Sequence, residues 1–430
     1  MAKADAMKRD GFGANAHMRE EGSRLTLKGF LRAGHLPTLV ASLLHFETSF
    51  MIWVLMGGLG VLIAADLGLT PTEKGLIVGI PLLGGAFWRV PIGMLGDRFG
   101  AKRVGTITML SVLAPLALAW QVARDMQGLV LVGILLGVAG SSFAVALPLA
   151  SRTYSPRYQG TAMGIAAAGN SGTVLATLLA PRLGEALEWH AVFGLAMLPA
   201  LVAALIFFLV AREAPVATAG VANGTAARAL REPDLWWLAL LYSMTFGGYS
   251  GFSAFLGIYF HDQYGLGAVA AGGVVAVCAC AGSLVRPFGG AAADRVGGMR
   301  VLAVVFAVVP FALLAPIIGA PLPLTVAGLL VAMAGLGVGN GAVFQLVPQR
   351  FPHIIGFATG VTGAAGGIGG FLLPAVMGIE RELTGSYGPG FLLFAVSLAY
   401  MFLCVNALHS GWRFTWLAPR PSAQHVSADS

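Results

Sequence analysis

Two arginines and one glutamate lie deep inside apolar stretches: Arg89 in "LLGGAFWRVPIGMLGDRFG", Arg286 in "CACAGSLVRPFGGAAADRVG" and Glu47 in "ASLLHFETSFMIW". A guanidinium is planar, always charged, and presents paired N–H donors that match flat oxyanions. Placed in hydrocarbon it costs roughly 2.5–3.5 kcal/mol on insertion scales and more by simulation. Acidic partners at the same depth would offset that cost. Of the 19 Asp and Glu residues, only Glu47 lies well inside an apolar run. Two buried cations and one buried acid leave at least one positive charge uncompensated. A bound anion is the simplest neutralising partner.

The elements that must hold these residues follow from composition. Only 10% of the chain is charged and 57% is hydrophobic, with a mean hydropathy of +0.81. Soluble domains carry roughly 25% charged residues, so the chain reads as an all-α polytopic protein of the lipid bilayer. Crossing a bilayer takes about 20 apolar residues. Twelve such runs lie near 36–64, 72–96, 103–123, 127–151, 159–181, 188–211, 235–260, 268–292, 300–319, 323–347, 356–379 and 387–411. The longest polar break follows the sixth. The expected organisation is an N-terminal arm (1–35), a six-helix bundle (36–211), a linker (212–234), a second bundle (235–411) and a tail (412–430). The 60 glycines suit closely packed spans.

Charge sets an orientation. With the N-terminus inside, the inner segments hold 20 of the 26 Lys and Arg residues, and the outer ones hold Lys74, Arg124, Arg182 and Arg381. Positive residues stay inside, so both termini are expected in the cytoplasm and the protein in the cytoplasmic (inner) membrane. The basic pI near 9.6 reflects this bias and does not indicate nucleic-acid binding. The polar, basic arm has no apolar core of the signal-peptide kind, and "RLTLKGFLRAGH" can lie along the membrane surface. Cys278, Cys280 and Cys404 sit in apolar runs, with no disulfide framework or metal spacing. No cofactor is expected.

The two arginines belong to a repeat. "RVPIGMLGDRFG" (89–100) is echoed by "RPFGGAAADRVG" (286–297), matching Arg89 with Arg286, Gly93 with Gly290, Asp97 with Asp294, Arg98 with Arg295 and Gly100 with Gly297. The same separation of 197 residues pairs Gly140 with Gly337, Gly169 with Gly366 and Gly172 with Gly369. The chain is therefore two related six-helix bundles, and an even helix count gives them one orientation about an axis along the membrane normal. Each arginine lies eight residues before its aspartate, about 12 Å up the helix. The pair is thus expected to face a central cavity near the midplane and to hold one anion between them. The fork suits nitrate, nitrite or a carboxylate, and would also accept phosphate.

The loop "GMLGDRFGAKRV" resembles the signature loop of the major facilitator superfamily, with a weaker copy between spans eight and nine. That resemblance implies the major facilitator fold. It makes Gly93, Asp97, Arg98, Gly100, Asp294 and Arg295 a gating loop, in which Asp97 pairs with a neighbouring cation or caps another helix. "HFETSFMIWVLMGGLG", "AAAGNSGTVLATLLAP", "LLYSMTFGGYSGFSA", "GVGNGAVFQLVPQRF" and "GVTGAAGGIGGFLLP" further resemble the nitrate/nitrite porter family within it. This implies that Arg89 and Arg286 bind the anion's oxygens. Tyr242, Phe246 and Phe143 would form aromatic walls, and Asn170 would donate a hydrogen bond. Tyr242 and Phe246, four apart, share a helix face. Gly164, Gly169 and Gly172, with Gly360, Gly363, Gly366, Gly367, Gly369 and Gly370, give smooth faces for packing or for sliding between the bundles. Asn340 and Gln345 either line the cavity or tie helices together.

Glu47 and His45 are the candidates for proton coupling. The family's proton-symporting members have a similar stretch, usually with aspartate; Glu47 departs from it. The preferred expectation is a monomeric secondary transporter of nitrate, nitrite or both, working by alternating access with nitrate/proton symport, and with no enzyme activity. Nitrate/nitrite antiport without protons, a porter of small carboxylates such as formate or oxalate, and a nitrate sensor stand as alternatives.

Overall fold

The computed structural model describes residues 27–155, 158–213, 228–351 and 354–412. The expectations for residues 1–26 of the arm, for Arg157, for 214–227 of the linker and for the tail from 413 lie outside the described residues.

After a short helix, Leu27–Arg32, twelve rods run through the described residues. The first, α1 (36–67), is built from Leu36–Trp53, Leu55–Gly58 and Gly60–Leu67. Next come α2 (Pro71–Phe99), α3 (Ala101–Gln121), α4 (Met126–Arg152), α5 (Thr161–Leu187) and α6 (Trp189–Val210). The second set opens with α7 (233–264), made of Pro233–Tyr242, Ser243–Gly247 and Gly248–Tyr264. It continues with α8 (Ala268–Val296), α9 (Gly298–Ile317), α10 (Leu322–Arg350), α11 (Ile355–Thr384) and α12 (Gly388–Trp412). Ten of these helices are long and apolar enough to cross a membrane; the interrupted rods α1 and α7 complete the twelve. Phe311, Ile318, Leu209 and Leu403 stay exposed on the outer helices, as bilayer-facing side chains do.

The internal repeat is visible in three dimensions. Helices α2 and α8 are both 29 residues long, and their first residues, Pro71 and Ala268, obey the 197-residue register. Both end on a glycine with nearly identical backbone angles, φ 93° at Gly100 and 92° at Gly297. Only glycine adopts that φ without strain, which explains why the repeat keeps it. Thr70 and Glu73 form a reciprocal cap at the start of α2. Within each half α2 packs on α4, and α8 on α10; across the halves α2 meets α11, and α5 meets α8. The arginine-bearing helices therefore lie at the seam.

The seam differs at its two ends. Away from the chain termini, a Cβ at Gly75 would strike the Pro374 carbonyl, one at Gly378 the Pro71 carbonyl, and one at Gly272 the Thr177 carbonyl. Each is a contact between halves. Polar ties join the halves there as well. Lys74 Nζ pairs with Asp262 at 2.9 Å and the Thr72 N–H donates to Glu382 at 3.0 Å, while within the second half Tyr387 donates to the same Asp262 at 2.7 Å. Burial, then the Asp262 carboxylate, pushes the Tyr387 phenol up, so it remains a donor. At the end carrying the termini, a Cβ at Gly93 or Gly290 would meet only atoms of its own half, and one at Gly164 or Gly360 nothing within 4 Å.

Candidate functional site

Arg89 enters the protein centre from α2 and is 2% exposed. Its Nε donates to the Gly140 carbonyl at 3.0 Å, and its Nη1 donates to the Gly363 carbonyl of the other half. The first acceptor has a local cause. Helix α4 breaks at Ser141–Ser142, and the Ala144 N–H donates to Ser141 rather than to Gly140. Three rings surround the guanidinium: Trp53 at 5.0 Å, Phe246 at 5.1 Å and Phe143 at 5.9 Å from Cζ. The Trp53 indole is fixed by donating to the Pro81 carbonyl at 2.6 Å.

Arg286 enters from α8 and is 7% exposed. Its Nη2 donates to the Tyr242 hydroxyl at a long 3.4 Å, and Phe344 lies 5.6 Å from Cζ. Its Nη1 is buried without a partner. The arginines flank one aromatic pair: Tyr242 and Phe246 stack at 5.0 Å and 4° between planes. The π-helical turn Ser243–Gly247 joins these rings. Such turns are rare and often mark functional sites. Phe344 contacts both Tyr242 (4.8 Å) and Phe143 (5.2 Å), closing the ring set across the halves.

Among the described residues neither arginine has a carboxylate within salt-bridge distance. Aromatic faces attract a cation by about 0.5–2 kcal/mol each, and the two carbonyls satisfy donors of Arg89. None of these groups carries a negative charge. The centre therefore combines two guanidinium groups, a stacked ring pair and unmet N–H capacity on Arg286. Chemically this is a receptor for a small flat anion.

The other expected residues distribute as follows. Phe143, Tyr242 and Phe246 are at the centre. Asn170 is 2% exposed on α5, with its Oδ1 unpartnered. Glu47 is half-buried on α1 and accepts from the Ser171 hydroxyl at 3.0 Å. His45 points elsewhere: its Nε2 is 3.0 Å from the Gly105 carbonyl of α3, and its ring lies 4.5 Å from Phe207 of α6. Asp97 accepts from Arg152 at 2.7 Å, a tie between α2 and α4 of one half. Arg98 lies over Phe99, and Asp294 and Arg295 are exposed. Gln345 sits against Gly298 on α9.

The glycines have more local work than sliding. Gly169 and Gly172 admit α1 at Phe46 and Glu47, while Gly366 and Gly369 admit α7 at Tyr242, Phe246 and Ser243. Both pairs act inside one half, at matching positions of the repeat. Gly363 leaves its carbonyl open to Arg89, and Gly367 and Gly370 also meet the opposite half, at Leu82 and Ala86. Sequence reasoning did not find Trp53, Phe344 or the Lys74–Asp262 tie. The first two look like packing residues in an apolar helix, and the third depends on which helix ends meet.

The fold matches that of solved membrane transporters. A bacterial homologue of the lysosomal transporter Spinster, solved in an inward-facing occupied conformation, matches with a TM-score of 0.65 at 18% identity, over 90% of this chain and 98% of that one. The nucleoside transporter NupG matches with a TM-score of 0.67 at 17% identity, over 86% and 99%. The Major Facilitator Superfamily model matches residues 41–374. Curated relatives are more specific. The probable nitrate/nitrite transporter NarK2 of Mycobacterium tuberculosis is 34% identical over 88% of this chain and 97% of its own length. The nitrite extrusion protein of Bacillus subtilis is 32% identical over 84% and 92%, and the probable nitrate/nitrite antiporter NarK1 of Thermus thermophilus 29% identical over 88% and 93%. The chain belongs to the nitrate/nitrite porter family of the major facilitator superfamily, and is a transporter rather than an enzyme.

Proposed function

We propose that this protein carries nitrate, nitrite or both across the cytoplasmic membrane, with one anion held between Arg89 and Arg286. The observation that carries this reading is the pair of buried guanidinium groups flanking the Tyr242–Phe246 stack with, among the described residues, no carboxylate in reach. The names of the relatives agree with the chemistry. The clustering of Lys and Arg at the ends of α2, α4, α8 and α10 nearest the termini favours a cytoplasmic location for that end. The sealed end then faces outward, and transport proceeds by rocking the halves about the arginine pair.

Uptake of an anion against an inside-negative potential costs about 2.3 kcal/mol per 100 mV. Proton symport is the preferred coupling. Glu47 supports it, being half-buried on α1 with a hydroxyl neighbour and, among the described residues, no cation within salt-bridge distance. Antiport is the competing reading, favoured by the Thermus relative's name.

Proteoliposome flux tests both points. Nitrate should be taken up and should not be displaced by equimolar formate; equal competition by formate would make this a carboxylate porter, and binding without flux a sensor. Nitrate-driven alkalinisation of the medium in the absence of nitrite should vanish in Glu47→Gln. An unchanged proton signal in that variant would clear Glu47 of the role.

A further inference from the structure

On α10 the buried amides of Asn340 and Gln345 both leave their carbonyl oxygens without a partner. Asn340 is 1% exposed, and among the described residues its Nδ2 donates to no protein acceptor. An oxyanion cannot complement the Oδ1, but an amide donor with no protein acceptor is free to meet a ligand oxygen. Two independent observations say where that ligand sits. First, the 197-residue register that pairs Arg89 with Arg286 pairs Phe143 with Asn340, and Phe143 is one of the three rings over Arg89. Asn340 thus holds toward Arg286 the position that Phe143 holds toward Arg89. Second, Asn340 is one turn before Phe344, which contacts Arg286 and Tyr242, so the two share a helix face. The neighbouring Gly341 abuts the backbone of Arg286 itself. Gln345, the other polar residue of this stretch, goes to α9 instead.

We infer that Asn340 is a direct ligand of the transported oxyanion, donating its amide N–H to an oxygen held beside the free Nη1 of Arg286. The inference rests on the anion-binding reading above. It makes the C-terminal half more than a second cation. The ring that lies over Arg89 is replaced, over Arg286, by a directed donor. A small flat oxyanion such as nitrate then meets guanidinium and amide on one side, and guanidinium and aromatic faces on the other.

The test is nitrate titration of the purified full chain in detergent, beside its thermal unfolding without nitrate. Asn340→Leu keeps the volume and removes the donor. It should weaken nitrate binding about tenfold or more, the effect of losing a hydrogen bond to a charged group. Because the amide has no protein partner, the same variant should melt no lower than wild type in the absence of anion. Asn340→Asp, which sets a carboxylate against the anion, should bind more weakly still. Wild-type nitrate affinity in Asn340→Leu overturns the inference, and so does a lowered melting temperature with unchanged affinity, which marks a helix tie. Failure of wild type itself to bind nitrate is a separate result, and would defeat the anion-binding reading as a whole.

Discussion

Arg89 and Arg286 occupy the same position in two copies of one helix, yet their surroundings differ. Arg89 is anchored: two donors go to the carbonyls of Gly140 and Gly363, and three rings lie against it. Arg286 is loosely held, with one long bond to Tyr242, one nearby ring and a bare Nη1. The repeat preserves where the charges sit but not what each must do. An anchored guanidinium fixes the geometry of the site and links α2 to α11. A loosely held one has donor capacity left for a ligand. The same division separates the two ends of the seam, where among the described residues polar ties join the halves only at the Lys74 end.

The comparison can be broken at several points. The largest expected effect is on Arg286→Gln: nitrate affinity should fall about a hundredfold, as for a buried charge partner, with little loss of thermal stability because few protein contacts depend on it. Arg89→Lys should weaken binding less, about tenfold, but should also lower the unfolding free energy by about 1–3 kcal/mol, since the Gly140 and Gly363 carbonyls lose a donor that lysine cannot reproduce. Chemical denaturation alongside titration separates these effects. Equal stability in both variants would show that the anchoring is not real. The smallest effect belongs to Lys74→Gln. The Lys74–Asp262 pair is partly exposed, with side chains 19% and 14% accessible, and such pairs contribute about 1 kcal/mol or less. Removing it should shift the halves several-fold toward the state open at the Lys74 end, read as faster labelling of a cysteine introduced there. No change in labelling would remove this pair from the gate.

The sequence made the arginines legible because a cation in an apolar helix has no bland explanation and because the repeat doubled it. Tyr242, Phe246 and Phe143 were legible through family resemblance, not through pattern; a ring in an apolar helix carries no signal of its own. Trp53 and Phe344 illustrate this, as they touch the arginines and yet read as core. Backbone acceptors are less visible still, since the Gly140 carbonyl is freed by a break in α4 that periodicity does not reveal. His45 stood beside Glu47 in the chain, but a helix turns about 100° per residue, and a two-residue step sends His45 toward α3 and α6. The glycine runs read as faces for packing or for sliding: Gly169, Gly172, Gly366 and Gly369 pack within each half, and Gly363, Gly367 and Gly370 meet the opposite half.

The central claim is that one anion is shared by the two arginines. A double-mutant cycle tests it most directly, with nitrate titrated into wild type, Arg89→Gln, Arg286→Gln and the double variant. If both groups grip the same ion, the double variant should lose little more affinity than the worse single variant, leaving a large coupling energy. Two nitrates bound per wild-type chain, or one site of wild-type affinity surviving in either single variant, would mean two independent sites and would contradict the account.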